Sequence, residues 1–328
     1  MREVVEVDGL CKFYEVHHKE PGFLGSLKSL YRRRYRIVRA VDGISFSIEP
    51  GEIVGFLGPN GAGKTTTLKV LAGLLYPTSG RVTVLGYTPY ERHPGFLKSI
   101  TLVMGQKNQL IWDLPPIETF LLNKTIYDID DITFRERLNS LSKLLDLDPL
   151  LKKQVRKLSL GERMKCELAA ALLHMPSVLF LDEPTIGLDV HMQQNMHAFI
   201  KEYNRLYGAT VLLSSHYMQD VMALCQRILI INNGKMLYDG SLKRLVENIA
   251  PYKILKITLE DSGSHDSLAR FGEVESLNGQ KAVIRVSRKE ATAVAAAVLN
   301  QLKIRDIVLE EPSIEEIIAQ VFSGRIPS

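Results

Sequence analysis

Apolar and polar residues alternate twice near the start of the chain, over Val4 to Val7 and over Ile44 to Ile48, which is the period of a strand with one buried face. A third run, Ile53-Val54-Gly55-Phe56-Leu57, is apolar throughout and predicts a strand covered on both sides. It leads directly into a glycine-rich stretch, beyond which Leu68, Leu71, Leu74 and Leu75 recur at helical spacing. Apolar runs return at Ile100 to Met104, Val178 to Leu181, Thr210 to Leu213 and Ile228 to Ile231, with helical patterns between them. This alternation predicts an α/β fold on a parallel sheet. Between Gln106 and Ser159 the helical period dominates, and Thr133-Phe134-Arg135-Glu136 reads as a capping box opening the run that ends near Leu147. A helical subdomain of about residues 107–175, inserted into the sheet, is therefore expected.

After Tyr252 the pattern changes. Ile254 to Leu259 alternates, Asn278-Gly279 signals a hairpin before Ala282 to Val286, an alanine-rich helix precedes a strand at Ile304 to Leu309, and Ser313-Ile314-Glu315-Glu316 reads as a second capping box. Two domains follow from this, 1–250 and a small α+β domain at 251–328. Within the first, residues 21–36 stand apart: Phe23, Leu24, Leu27, Leu30 and Tyr31 share one helical face, with Lys28, Arg32, Arg33, Arg34 and Arg36 around it.

Composition narrows the class. With 328 residues, 45% apolar and 24% charged, the chain has the make-up of a globular protein rather than a disordered or fibrous one. Its 41 basic and 37 acidic residues leave a net charge of +4, too small to argue for wrapping nucleic acid. Cys11, Cys166 and Cys225 are scattered without metal or disulfide spacing, which suits a reducing compartment. The first residues lack the apolar core of a signal peptide, and no stretch reaches the ~18 apolar residues of a spanning helix.

The chemistry begins at Gly58-Pro59-Asn60-Gly61-Ala62-Gly63-Lys64-Thr65-Thr66. Such a loop between strand and helix turns backbone N–H groups inward, and the helix adds its positive end, so phosphate oxygens meet donors without side-chain crowding. Lys64 is placed to reach the β- and γ-phosphates and Thr65 to offer its hydroxyl to Mg²⁺. Asp182 closes an apolar strand, where a carboxylate holds a magnesium shell, and Glu183 beside it can accept hydrogen bonds from an attacking water. Gln106 and His216 each follow a strand end, which suits an amide sensing metal and water and an imidazole bonding the γ-phosphate. Taken alone, each reads better as a solvated polar residue.

Together these segments resemble the ATP-binding subunits of ABC transporters. Gly58 to Thr66 is similar to the Walker A loop, Gln106 to the Q-loop, Leu158-Ser159-Leu160-Gly161-Glu162-Arg163 to the signature, Val178 to Glu183 to Walker B, Gly187-Leu188-Asp189 to the D-loop and His216 to the switch histidine. The resemblance covers about residues 2 to 240. It implies a P-loop NTPase core with an inserted helical subdomain, ATP and Mg²⁺ as ligands, and Thr65, Gln106 and Asp182 around the metal. It also implies a dimer with a second copy or a paralogous ATPase, in which Ser159, Gly161 and Asp189 of one subunit face the γ-phosphate held by the other. ATP would close the pair, Glu183 would polarise water, and reopening would drive separate permease subunits. Tyr14 matches the aromatic on which the family stacks adenine, with Tyr35 as a rival. The stretch from Gln109 to Leu114, with the only tryptophan, Trp112, falls where the family touches its permease; packing within the helical subdomain is the other reading of Trp112.

One nucleotide domain followed by a short α+β tail resembles the bacterial ABC-2 type exporter ATPases, which implies an ABC-2 permease partner and a peripheral place on the cytoplasmic face of the cell membrane. Two other functions compete. Soluble ABC proteins of translation or DNA repair share the phosphate motifs, but usually carry two nucleotide domains or a long coiled coil between motifs. A nucleotide switch that never hydrolyses would have no use for Glu183 and His216. The signature departs from the common Leu-Ser-Gly-Gly-Gln at Leu160 and Glu162, while Ser159-Leu160-Gly161-Glu162 reads as a capping box in its own right. A basic amphipathic segment such as 21–36 suits a membrane surface or an acidic partner groove, and equally a helix packed on the sheet with its charges in water. On the first of these readings, reversing the charges of Arg32, Arg33 and Arg34 weakens recruitment to membranes carrying the permease and leaves ATP affinity unchanged; cosedimentation and nucleotide titration measure the two.

Overall fold

A computed structural model describes residues 3–17, 35–105, 108–215, 217–260 and 268–322. Gln106, His216 and the amphipathic segment as far as Arg34 lie outside them. The chain packs as two units, Met1–Gly240 and Ser241–Ser328.

The first unit opens with two long strands, β1 (Val5–His17) and β2 (Tyr35–Ile48), paired antiparallel from Val5↔Ile48 to His17↔Tyr35. Tyr35 and Arg36, read from the sequence as the end of the helical insertion, belong to this ribbon. Next come β3 (Ile53–Leu57), α1 (Lys64–Leu71), β4 (Ser79–Val84), α2 (Pro94–Ser99) and β5 (Ile100–Met104). Helix α1 stops a turn short of the leucine pattern, because the chain turns back at Gly73, which has a φ of 71°. Leu74 is accordingly half exposed rather than on a buried helical face.

The helical subdomain consists of α3 (Pro116–Ile126), α4 (Asp131–Leu145) and α5 (Leu160–Leu172). Helix α4 begins earlier than the threonine pattern suggested: the carboxylate of Asp130 accepts from the N–H groups of Ile132 (3.0 Å) and Thr133 (2.9 Å). Aspartate is the stronger cap here because one acidic oxygen takes two of the unsatisfied amides of the first turn and also favours the positive helix end. The sheet resumes with β6 (Val178–Asp182), α6 (Val190–Tyr207), β7 (Thr210–Ser214), α7 (Met218–Leu224), β8 (Arg227–Asn232) and β9 (Lys235–Ser241).

Two sheets result, a three-stranded one ordered β2-β1-β4 and a six-stranded one ordered β5-β6-β7-β3-β8-β9. Strands β5, β6, β7, β3 and β8 are parallel, and every residue of β6 and β7 is buried, which is why those runs lack polar alternation. A single apolar core joins the inner faces of the sheets through Val5, Ile44, Phe46, Phe56, Leu68 and Val82.

In the second unit α8 (Leu242–Ile249) precedes β10 (Tyr252–Leu259), β11 (Glu273–Asn278), β12 (Lys281–Ser287), α9 (Ala291–Gln301), β13 (Ile304–Glu310) and α10 (Ile314–Phe322). Its antiparallel sheet runs β11-β12-β10-β13, with the expected hairpin turning at Gly279. Leu255, Ile257, Ile284 and Val286 pack under Val298 of α9. Among the described residues, no helix is long and apolar enough to cross a membrane.

One buried contact ties the helical subdomain to the sheet. His174, just past α5, stacks on Tyr127 with ring centroids 3.9 Å apart, and its Nε2–H donates to the carbonyl of Ile100 at 2.9 Å. Its Nδ1 is buried with no hydrogen-bond partner. Burial lowers the pKa of this imidazole from 6.5 to about 4. Between those values the unfolded chain binds the proton and the folded chain does not, so stability is complete above pH 6.5 and falls as the pH drops towards 4. Full loss amounts to about 3 kcal/mol. The variant His174→Phe keeps the stack and removes the proton site, so its urea-unfolding midpoint should fall less steeply with acid over that window than that of the parent.

Candidate functional site

All the parallel strands end on one edge of the sheet, where the register sets Met104, Asp182 and Ser214 side by side. The crevice outside the carboxyl ends of such strands is where α/β sheets bind ligands. Strand β3 delivers the glycine-rich loop there. Gly63 caps α1 with a φ of 111°, a backbone geometry that a side chain would strain, and Lys64 follows as the first helical residue. The Lys64 side chain is buried and turns back over its own loop, its ammonium donating to the carbonyls of Gly58 (2.6 Å) and Pro59 (3.2 Å). Burial pushes its pKa down, and the nearby charges of Glu183 and Asp182 pull the other way.

Asp182 is the pivot of the site. Its Oδ2 accepts from the Thr65 hydroxyl at 2.8 Å, and its Oδ1 accepts from the Ser214 hydroxyl at the end of the neighbouring strand. Thr65 and Asp182 thus bring two hard oxygen atoms together, the donor type Mg²⁺ takes alongside water and phosphate. Among the described residues no cluster of three or more acidic, histidine or cysteine ligands exists. Glu183 follows with a φ of 53°, a left-handed conformation that turns the chain sharply after β6. The turn is possible because residue 105 is glycine: a Cβ there would lie 2.2 Å from the carbonyl oxygen of Glu183.

Asn60, Gly61, Gly63, Lys64, Thr65, Thr66 and Glu183 line a cleft of about 130 Å³. A larger cavity of about 410 Å³, between α4, α5 and α6, is lined by Lys143, Lys165, Met192, Phe199 and Glu202 and has no phosphate-binding loop. Chemistry rather than volume selects the smaller one. Ser159, Gly161, Asp189 and Tyr14 do not line it. Sequence reasoning missed Gly105 and Ser214. Nothing local marks a serine at a strand end as the partner of a carboxylate on another strand.

The other candidates are organised around helix starts. Ser159 caps α5 through a reciprocal box: its hydroxyl accepts from Glu162 N–H at 3.2 Å, and the Glu162 carboxylate accepts from Ser159 N–H at 2.8 Å. Asp189 caps α6 by accepting from Met192 N–H at 2.8 Å, a cap the sequence reading had not assigned to it. The two starts touch, since a Cβ on Gly161 would come within 2.9 Å of the Met192 side chain. Leu160 leans towards Gly187 and remains partly exposed. Tyr14 lies partly buried on β1 opposite Val38, with the Lys12 ammonium 5.2 Å from its ring centre, while Tyr35 is more exposed opposite His17. Trp112 is half in solvent, with the Arg163 guanidinium of α5 5.5 Å from its ring centre.

The fold and the loop define a P-loop ATPase with an inserted helical subdomain. The sequence family described as ABC transporter matches residues 41–186, and the family described as EvrA-like ABC transporter, C-terminal domain, matches residues 251–310. Similar proteins include the ABC transporter ATP-binding protein NatA of Bacillus subtilis, 34% identical over 66% of this chain and 88% of its own length. A Nod factor export ATP-binding protein I of Burkholderia pseudomallei is 33% identical over 79% and 84% of the two chains, and the linearmycin resistance ATP-binding protein LnrL of B. subtilis 30% over 87% and 94%. Among solved structures, an ATP-binding subunit of an ABC transporter is similar in fold with a TM-score of 0.61 at 24% identity, covering 74% of this chain and 91% of that one. The cassette MJ0796, solved as a post-hydrolysis dimer bound to ADP and Pi, gives 0.60 at 24% identity, covering 73% of this chain and 98% of that one. The chain belongs to the ATP-binding subunits of ABC transporters. It is a transport ATPase that binds and hydrolyses ATP, not a soluble ABC protein of translation or DNA repair.

The reciprocal cap makes one substitution informative. Glutamine at position 162 can still accept from Ser159 N–H, so Glu162→Gln should keep the helix start and at least the parental ATPase rate. Ser159→Ala removes the hydroxyl and should destabilise the first turn by about 1 kcal/mol. Steady-state hydrolysis and amide exchange over the first turn of α5 read out both.

Proposed function

We propose that the subunit binds Mg·ATP on the Gly58–Thr66 loop, pairs head to tail with a second ATPase subunit, and drives export through an ABC-2 type permease at the cytoplasmic face of the membrane. The convergence of Lys64, Thr65, Asp182 and Glu183 at one end of the sheet carries this reading. In it, the inward N–H groups of the loop and the N-terminus of α1 hold the phosphates, and the Lys64 ammonium exchanges its loop carbonyls for β- and γ-phosphate oxygens. Thr65 and Asp182 would hold Mg²⁺, with Gln106 as a further ligand, and the metal supplies charge neutralisation of the phosphates. Glu183 orients the attacking water and takes up its proton, while His216 bonds the γ-phosphate. Tyr14 or Tyr35 stacks on adenine.

Ser159 and Gly161 meet the γ-phosphate bound by the partner subunit, and Asp189 contributes from the D-loop. The cap of α5 supports this use: the box satisfies two N–H groups and leaves the other first-turn N–H groups and the positive dipole end available to an anion. The partner is a second copy or a paralogue. The export assignment draws support from relatives named for Nod factor export and linearmycin resistance, and from the match of residues 251–310 to a C-terminal domain found in an ABC transporter family. On this reading residues 1–250 form the ATPase, with helical subdomain 107–175, and residues 251–328 an accessory domain. Permease contact falls near Trp112, and peripheral membrane contact at residues 21–36.

The decisive test is Glu183→Gln. The carboxamide is isosteric but a poor base, so turnover should fall by about 100-fold or more while ATP affinity persists. Retained turnover in that variant rules out Glu183 as the residue that activates water.

A further inference from the structure

Another carboxylate lies fully buried on the first turn of α7. Asp220 has no exposed surface, and three donors from three different segments converge on it. Its Oδ2 accepts from the hydroxyls of Thr185 (2.6 Å) and Ser215 (2.7 Å), and its Oδ1 accepts from His197 Nε2–H (2.7 Å). Thr185 sits two residues after Glu183 and is itself buried, with Ile186 N–H donating to the Glu183 carbonyl and Leu188 N–H to that of Thr185. Ser215 follows β7, and its hydroxyl oxygen accepts from the N–H of Tyr217 at 2.9 Å. His197 lies on α6, the helix capped by Asp189.

A buried anion is expensive unless hydrogen bonds replace its water, and here they do. Burial alone would raise the pKa of the Asp220 carboxyl, but the bonds from His197, Ser215 and Thr185 outweigh it and hold the group below the usual carboxylate range. An apolar residue would fill this part of α7 at less desolvation cost. What it could not do is accept three bonds at once, and those bonds join the turn after Glu183, the end of β7 and the D-loop helix.

We propose that Asp220 is a positioning residue for ATP hydrolysis, fixing the turn that carries Glu183 through Thr185 and coupling it to β7 through Ser215 and to α6 through His197. The inference rests on the role given above to Glu183. It adds that a shift of the D-loop helix is felt at the turn after Glu183 through one carboxylate. Errors of about 1 Å in the placement of reacting groups cost on the order of 100-fold in rate, whereas the phosphate-binding loop, which sets affinity, makes no bond to Asp220.

Turnover and ATP affinity of the full-length protein test this. In Asp220→Ala, kcat should fall about 10- to 100-fold with KM for ATP within about twofold. Asp220→Asn should recover most of the rate, because its carbonyl still accepts from Thr185 and Ser215 while its amide donates to His197 in the other tautomer. Thr185→Val, which exchanges one hydroxyl for a methyl, should show a smaller loss of the same kind and decides the matter should Asp220→Ala not fold. Parental kcat in Thr185→Val, a parallel loss of affinity, or an Asn variant as poor as Ala would overturn the proposal. Glu183→Gln, run alongside, separates the two ideas. If it keeps turnover, the catalytic assignment fails; if it is dead while the Asp220 and Thr185 variants stay active, only the positioning role does.

Discussion

The Asp182 carboxylate bonds on one side to Thr65, at the start of α1, and on the other to Ser214, at the end of β7. Those two bonds join the phosphate loop to two adjacent, fully buried strands of the sheet. Because parallel strands in register end together, one acidic residue at the tip of β6 lies within reach of both neighbours, and Glu183 after it is delivered to the loop. The site therefore depends on strand register. A slip of β6 by one residue would exchange its two faces and carry Asp182 away from Thr65.

Behind that edge the same device recurs. Asp220 gathers hydroxyl and imidazole donors from segments far apart in the chain, and Glu167 of α5 accepts from the N–H groups of Gln109 (2.8 Å) and Leu110 (3.2 Å). A buried carboxylate binds loops more tightly than apolar contact because hydrogen bonds to an ion are directional and roughly twice as strong as neutral ones. Loops around a nucleotide must adopt defined geometries without regular secondary structure, so acceptor-only side chains suit them. The capped starts of α5 and α6 extend the scheme, with Gly161 allowing Met192 of the second helix to lie against the first.

Much of this was legible along the chain. The strand–loop–helix of the phosphate site, the buried strands, the capping box at Ser159 and the hairpin at Gly279 rest on interactions among near neighbours, which composition and spacing express directly. Errors came where local rules compete. Thr133 had the right spacing for a cap, yet Asp130 took it; the leucine pattern continued past Leu71, yet the helix ended before Gly73; and the long β1–β2 ribbon includes Tyr35 and Arg36, which share no clear alternation.

The sequence by itself determined the fold class and the phosphate chemistry, because a loop of that composition between a strand and a helix can hardly do anything else, and because an acidic pair closing an apolar run must sit at a sheet edge. It could not place Ser214 beside Asp182, Gly105 beneath Glu183, or three donors around Asp220. Those contacts join residues from 5 to 78 positions apart, as in Ser215 with Asp220 and Gly105 with Glu183, and most of them arise only when strand order and register are set. Strand order is decided by how whole elements bury their faces against one another, and no short window of the chain contains that information.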